Sequence, residues 1–210
     1  MIPTKEEIIN IVKIHPLKIR NIYLFGSRVY LNCREDSDYD FIVVACSMLA
    51  KQEIRHENYN IHIHTPDIFL EGLKEYQMQY LECIYAPPFA KIMEKMVQPD
   101  KNFSLKLDML KYKGMGQSFN AFHKAKDRII DGETFRGVKS LWHSLRILDF
   151  FKQIIEKGRI EDFSTSNYLW EMILNDLENG HGDGGDDDWI YYKEKYLPIK
   201  IELENFFKND

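Results

Sequence analysis

Apolar residues in the first half of the chain change their spacing from one segment to the next. Thr4 and Glu7 have the spacing of a helix capping box and precede apolar positions at helical spacing, which predicts a helix over residues 5–15. Two continuous apolar runs and one alternation of isoleucine and histidine predict three strands, at residues 21–25, 41–45 and 59–64. A helical pattern follows at residues 67–76, so this half is expected to be α/β.

In the second half of the chain, apolar residues keep helical spacing in each of the main segments. Four segments predict helices, at about residues 104–131, 134–157, 164–179 and 188–208. The stretch over residues 180–188 is rich in glycine and aspartate and predicts a flexible acidic loop. We therefore expect an α/β (α+β) fold in two domains, with a small mixed sheet and flanking helices over residues 1–100 and an all-helical bundle over residues 101–210.

Composition and charge describe an ordinary globular protein. Of its 210 residues, 44% are hydrophobic and 29% are charged. No apolar run approaches the roughly 20 residues of a membrane helix, and the N-terminus does not have the pattern of a secretory signal. The net charge of −5 provides no general attraction for nucleic acid, although a local basic groove would suffice. Cys33, Cys46 and Cys83 lack a metal-type pair spacing and favour a reducing, cytoplasmic compartment.

The Gly26-Ser27 pair ends the first predicted strand and has the properties of a phosphate-binding turn. Glycine lets the backbone turn sharply and lets a ligand approach closely. Serine supplies a hydroxyl and an amide at the point where a helix is expected to begin. Such a turn directs N–H groups toward an anion, which suits a triphosphate.

Two carboxylates, Asp38 and Asp40, begin the second predicted strand. Residues at positions i and i+2 of a strand face the same side, so both carboxylates are expected on one face. Neighbouring carboxylates repel each other unless a cation lies between them, and Mg²⁺ is the usual cation where phosphates are present. A cation held beside a phosphate-binding turn is what metal-assisted phosphoryl transfer requires.

These two motifs together resemble the polymerase-β-like nucleotidyltransferase superfamily, and in particular its stand-alone minimal members with a helical C-terminal domain. The matching residues are Gly26-Ser27-Arg28 followed by Ser37-Asp38-Tyr39-Asp40-Phe41. The resemblance implies that the Gly-Ser turn, together with Arg28, holds the phosphates of an NTP. It also implies that Asp38 and Asp40 are catalytic and bind Mg²⁺, with Mn²⁺ as an alternative. The implied reaction transfers an NMP from the NTP to an acceptor hydroxyl and releases pyrophosphate.

The resemblance does not choose the acceptor. An RNA 3′ end, a protein hydroxyl and a small molecule all fit, and the oligomeric state is not assigned. The alternative interpretation is a catalytically degenerate module that binds a nucleotide or a protein.

The third predicted strand departs from the family pattern, which places a third carboxylate there. His62 and His64 are the residues expected to face the site, and His62 is the first candidate for the missing catalytic group because histidine titrates near neutral pH. A carboxylate from elsewhere is the second explanation, and the candidates are Glu57, Asp67 and Glu82. Nucleotide binding without turnover is the third explanation.

One predicted helix of the second half carries a basic stripe on one face, made of Lys139, His143, Arg146 and Phe150. Such a stripe can lie over a triphosphate, and Lys139 is the residue we expect to contact the nucleotide. A solvated basic face is the alternative. Arg136 and His143 also have an Arg-x6-His spacing that resembles the arrangement in small helical ribonucleases, which makes a ribonuclease the third functional hypothesis.

Overall fold

The structure is a computed structural model that describes residues 2–32, 37–46, 52–95 and 105–208. The chain divides into two compact units, Met1–Ser104 and Leu105–Asp210. The first unit combines a mixed sheet with helices and the described part of the second is helical, which confirms the predicted fold class. Cys33 and the predicted domain boundary at residues 100–101 lie outside the described residues.

Among the described residues, the first unit contains five strands and four helices. In chain order they are α1 (Lys5–Val12), β1 (Ile19–Phe25), α2 (Ser27–Tyr30), β2 (Tyr39–Ala45), β3 (Gln52–His56), β4 (Tyr59–His64), α3 (Pro66–Lys74), α4 (Met78–Tyr85) and, after a 3₁₀ turn at Pro88–Ala90, β5 (Lys91–Glu94). The predicted capping box between Thr4 and Glu7 is present. α1 ends earlier than predicted because Lys13 adopts a left-handed conformation and caps it.

The sheet is mixed and has the strand order β3-β4-β2-β1-β5. β2 and β4 are parallel, whereas the other neighbouring pairs are antiparallel. The three predicted strands are therefore the three central ones; β1 and β2 are mostly buried and apolar, whereas β4 alternates isoleucine with polar residues. Parallel pairing also places the first residues of β2 and β4 side by side, with Tyr39 opposite Tyr59.

One face of the sheet is well covered at one end and more exposed at the other. At the covered end, Phe69 of α3 stacks on Tyr23 with ring centroids 5.7 Å apart, and Tyr80 of α4 lies 5.5 Å from the ring of His64. Toward the other end, the side chains of Phe25 and Asp40 are only partly buried. The polar residues of the candidate site lie at this more exposed end.

Three elements of the first unit, β3, α4 and β5, were not indicated by the sequence pattern. β3 contains one apolar residue, Ile54, and its extended conformation depends on pairing with β4 at the sheet edge. α4 and β5 are short segments whose structure depends on tertiary context, since Leu81 is fully buried and Met93 pairs with Ile22.

The described part of the second unit consists of the four predicted helices, α5 (Leu107–Ile130), α6 (Thr134–Lys157), α7 (Asn167–Glu178) and α8 (Asp186–Lys208). The predicted acidic loop is shorter than expected because its last aspartates form the first turn of α8. The Gly184 amide donates to Asp188 Oδ2 at 2.7 Å, and the Gly185 amide donates to the Ile129 carbonyl at 2.9 Å. Helices long and apolar enough to cross a membrane do not occur among the described residues.

Candidate functional site

The turn after β1 brings the backbone close to a carboxylate of β2. Gly26 has φ +79°, a conformation that favours glycine, and Ser27 begins α2 directly after it. The Gly26 carbonyl accepts the Val29 amide at 2.9 Å, which closes the first turn of this helix. A Cβ atom on Gly26 would lie 2.8 Å from Oδ2 of Asp40. Both the backbone conformation and the close approach to Asp40 therefore require glycine.

Asp38 and Asp40 lie on either side of the first residue of β2. Asp38 precedes the strand and is exposed, whereas Asp40 is partly buried and pairs with Phe25 of β1. Asp40 Oδ1 accepts a hydrogen bond from Asn60 Nδ2 at 3.0 Å, while Oδ2 faces the Gly26 turn. The two sequence motifs, Gly-Ser and Asp-x-Asp, thus meet in one place.

Arg28 contacts the segment that carries Asp38. Its guanidinium donates to the Ser37 carbonyl and lies over the Tyr39 ring, 4.1 Å from the ring centroid. These contacts fall on both sides of Asp38 and hold its backbone against α2. The structure places this side chain on the chain's own backbone and aromatic ring, and a phosphate contact by Arg28 stays a prediction.

Asn60 of β4 is the neighbour of Asp40 across the strand pair. In the parallel register Asn60 is opposite Asp40, and His62 is opposite Ile42. His62 shares the face with Asn60 but lies one step farther along it, with its ring 5.9 Å from the ring of Phe25. Asn60 Oδ1 is buried and accepts no hydrogen bond within the described residues. The sequence analysis missed Asn60 because the register between β2 and β4 is not visible in the sequence.

The other residues considered for the third carboxylate have different surroundings. Glu82 is buried and accepts a hydrogen bond from the Tyr30 hydroxyl at 2.6 Å. Glu57 is exposed in the turn between β3 and β4, and Asp67 is exposed in the first turn of α3. His64 is only 2% exposed, so the expectation of a polar, accessible face is wrong at this position. The ring of Tyr80 covers it.

Arg55 on the edge strand β3 lies in line with Asp40 and Asn60 across the sheet. Arg55 of β3 is opposite Asn60 in the register, so the row across the sheet runs from Asp40 through Asn60 to Arg55. The hydrogen bond and charge of Glu53 raise the pKa of Arg55, and the charges of Asp38 and Asp40 contribute to the same shift. Arg55 was missed because β3 itself was not predicted.

The residues at this end of the sheet fit a divalent cation of the hard, oxygen-binding type. Within the described residues, no group of three or more histidine, cysteine or acidic side chains could hold a metal alone. Mg²⁺, however, is usually held by one or two carboxylates together with substrate phosphates. Asp38 and Asp40 match that ligand set, and the buried Asn60 Oδ1 is a further oxygen without a hydrogen-bond partner in the described part of the chain. Asp38 and Asp40 would hold the cation.

The predicted basic stripe on α6 is wrong at Arg146 and Phe150, whereas His143 is half-buried. Lys139 is exposed, but Arg146 is only 2% exposed and Phe150 is fully buried. The Arg146 guanidinium lies 4.7 Å from the ring of Trp142 and contacts His143 Nδ1 at 2.6 Å. α6 is buried on most of its circumference, because the other helices of its unit surround it. Nucleotide contact by Lys139 stays a prediction.

Arg136 and His143, the residues of the ribonuclease hypothesis, have separate partners. Arg136 is exposed and forms an ion pair with Glu133 at 3.4 Å. His143 contacts Arg146, and burial together with the Arg146 charge lowers the pKa of His143 well below its ordinary value. Because arginine only donates, His143 Nδ1 is the acceptor, and the imidazole is neutral. The geometry therefore does not favour this hypothesis.

Comparison with known proteins gives a family match for part of the chain and a fold similarity for nearly all of it. Residues 6–71, which include the Gly-Ser turn, both aspartates and β4, match the protein family described as Polymerase beta, Nucleotidyltransferase. The fold is similar to that of spectinomycin adenyltransferase AAD(9) from Enterococcus faecialis, crystallised with ATP and spectinomycin, with a TM-score of 0.50 and 15% identity over 99% of this chain and 100% of that chain. At this identity the similarity concerns the fold.

A second solved structure, a nucleotidyltransferase-like protein from Exiguobacterium sibiricum 255-15, matches with a TM-score of 0.36 and 13% identity over 97% of this chain and 71% of that chain. No curated protein sequence matches the chain.

Proposed function

We propose that the protein transfers an NMP from an NTP to an acceptor hydroxyl with the help of a divalent cation, because residues 6–71 match the family described as Polymerase beta, Nucleotidyltransferase. The observation that supports this most directly is the contact between the two motifs: the Gly26 turn lies so close to Asp40 that a side chain would not fit between them. A phosphate-binding turn and a cation-binding carboxylate are thereby adjacent, as the reaction requires.

The proposed reaction is an attack of the acceptor oxygen on the α-phosphorus of the NTP. The new P–O bond forms as the bond between the α-phosphorus and its bridging oxygen breaks, and pyrophosphate leaves. Ser27 binds phosphate oxygens through its amide and hydroxyl, and Arg28 holds the Asp38 segment in place. Asp38 and Asp40 bind Mg²⁺ or Mn²⁺, which when bound neutralises charge on the phosphates and the leaving group. His62 is the proposed acceptor of the hydroxyl proton, on the same sheet face as Asp40.

The proposal leaves three classes of acceptor open. RNA 3′ ends, protein hydroxyls and small molecules are all compatible with the site. The adenyltransferase of similar fold was crystallised with ATP and spectinomycin, and the similarity covers 99% of this chain and 100% of that chain. ATP and small polyhydroxylated compounds are therefore the first substrates to test.

The experiment is a calorimetric titration with each common NTP in the presence of Mg²⁺, followed by measurement of pyrophosphate release with small hydroxyl compounds, RNA and protein as acceptors. Wild type, Asp38→Asn and Asp40→Asn are compared, with Glu71→Gln as a control that removes an exposed carboxylate from α3. Metal-dependent NTP binding that only the two aspartate variants lose, with pyrophosphate release, supports the proposal. An NTP affinity that is unchanged in both aspartate variants would contradict it.

A second candidate is a degenerate module that binds a nucleotide without turnover. It is favoured by Asn60, a neutral residue in register with Asp40 on the strand where the family pattern has a third carboxylate. Its signature in the same experiment is NTP binding that depends on Asp40, with no pyrophosphate released for any acceptor.

A further inference from the structure

We propose that Asn60 is a positioning residue that fixes the orientation of the Asp40 carboxylate and offers its own carbonyl oxygen as a neutral ligand for the same cation. The inference rests on the proposed function of this site, since it concerns the cation that Asp38 and Asp40 bind. It assigns a task to a residue that neither sequence motif contains.

The parallel register between β2 and β4 places Asn60 where it can orient the Asp40 carboxylate. Asn60 and Asp40 are opposite each other, so their side chains project from the same face of the sheet. Asn60 Nδ2 donates to Asp40 Oδ1 at 3.0 Å. The bond occupies one carboxylate oxygen and turns the other, Oδ2, toward the Gly26 turn. The hydrogen bond from Asn60 thus orients the carboxylate, with Oδ2 next to the Gly26 turn.

The chemistry of the Asn60 amide leaves its carbonyl oxygen available as a ligand. An ionised carboxylate only accepts hydrogen bonds, so the NH₂ group of Asn60 must be the end that faces Asp40. The carbonyl oxygen Oδ1 therefore points away from that bond, and it is buried without a hydrogen-bond donor among the described residues. A buried oxygen without a partner is costly unless a ligand satisfies it. Amide carbonyl oxygens are among the ligands that hard divalent cations accept.

The surroundings explain why a neutral residue is suited to this position. Asn60 lies between Asp40 and Arg55 in the row across the sheet. A carboxylate in its place would repel Asp40 when no cation is bound, whereas the amide attracts it. Asn60 therefore keeps the site assembled before the cation arrives.

The test uses Mn²⁺ alone as the probe, and its binding is followed by electron paramagnetic resonance of the free ion. Asn60→Leu keeps the approximate size of the side chain but removes both polar atoms, and we expect Mn²⁺ affinity to fall about 10- to 100-fold. Asn60→Asp replaces the hydrogen-bond donor by a third carboxylate, and we expect tighter Mn²⁺ binding and a lower metal-free Tm. Asn10→Asp, on the exposed surface of α1, is the control for added charge.

Opposite changes in Mn²⁺ affinity for the two variants support the inference, because a purely structural residue would weaken binding in both. Equal Mn²⁺ affinity in wild type, Asn60→Leu and Asn60→Asp overturns it, and so does weaker binding in both. Asp40→Asn separates this result from the proposed function. If Asp40→Asn binds Mn²⁺ as wild type does, the cation does not bind at Asp40 and the proposed function fails. If Asp40→Asn loses Mn²⁺ binding while the affinity of both Asn60 variants is unchanged, only the inference about Asn60 fails.

Discussion

Two aspartates, one in each unit of the chain, show how different surroundings give a carboxylate different tasks. Asp176 of α7 is 3% exposed and is held by Lys195 Nζ at 2.6 Å and the Tyr196 hydroxyl at 2.7 Å. Burial raises the pKa of Asp176, but the hydrogen bonds from Lys195 and Tyr196 outweigh it, so the pKa is lowered overall. A cation of the protein itself already neutralises this carboxylate.

Asp40 has a different environment. It is partly exposed, its Oδ1 accepts a hydrogen bond from the neutral amide of Asn60, and a second carboxylate, Asp38, is two residues away. The comparison teaches that a carboxylate satisfied by lysine and tyrosine stabilises the fold, whereas one arranged by an amide and a glycine turn is suited to an exchangeable cation. The predictions below test this distinction.

The largest effect is expected for Asp40→Asn. Loss of the cation-binding carboxylate removes several kcal/mol of transition-state stabilisation, so kcat/KM for pyrophosphate release should fall by about 1,000-fold or more. The Tm should change little, because repulsion from Asp38 is relieved. Steady-state kinetics and thermal unfolding measure the two quantities. If the Asp40→Asn variant kept its activity but unfolded more easily, Asp40 would be a stabilising residue like Asp176 and not part of the proposed site.

Gly26→Ala is expected to have the next largest effect. The added Cβ would meet Asp40 Oδ2 at 2.8 Å and would strain a residue with φ +79°. We expect a loss of about 10- to 100-fold in Mn²⁺-dependent NTP binding, since second-layer disturbances of metal sites have this size. Gly158→Ala is the matched control, because Gly158 has φ +76° and no atom within 4 Å of its Cβ position.

Both glycine variants should lose backbone free energy of unfolding: about 1–2 kcal/mol for Gly158→Ala, which is left-handed helical, and about 1–3 kcal/mol for Gly26→Ala, whose ψ of −158° lies in a region that essentially only glycine adopts. Only Gly26→Ala should lose nucleotide binding in the calorimeter. Equal nucleotide affinity in the two variants would show that the contact between the turn and Asp40 does not matter for binding.

Asp176→Asn should affect stability and leave the proposed site unchanged. The substitution removes the charge that Lys195 pairs with and weakens the bond from Tyr196, so we expect a loss of about 2 kcal/mol in the free energy of unfolding. Urea denaturation measures this loss, and Tyr196→Phe should lose a smaller part of it. Unaltered stability of both variants would mean that the cluster is not structural.

The smallest effect is a pH dependence that arises from His143. Burial and the Arg146 charge lower its pKa in the folded state, so the unfolded chain binds a proton below about pH 6.5 while the folded chain does not. Stability from this group is therefore complete above pH 6.5 and falls as the pH drops to 5.5, by at most about 1.4 kcal/mol per pH unit. Denaturation of wild type and His143→Gln at both pH values measures it, and equal slopes would contradict the prediction.

Much of the fold was predictable because its signals are local. The helices of the second unit follow from apolar residues at helical spacing, and the capping box at Thr4 and Glu7 follows from two residues three positions apart. The edge strand β3 was not predictable, since its residues other than Ile54 are polar and only the pairing with β4 makes it a strand. The burial of Arg146 was missed for a related reason: helical spacing places Trp142 and Phe150 beside the guanidinium, but it does not show that the other helices of the unit bury this face of α6.

The sequence by itself determined the Gly-Ser turn and the aspartate pair, because the conformational freedom of glycine and the alternation of a strand act within a few residues. It also determined that the Gly-Ser pair ends one apolar strand and that the aspartate pair begins the next predicted strand. Only the tertiary structure decided that Asn60 rather than His62 lies beside Asp40, that Arg55 joins the same row, and that Asp40 Oδ2 lies where a side chain on Gly26 would project. Strand register and close approach depend on residues far apart in the chain, and those contacts are settled by packing the whole sheet.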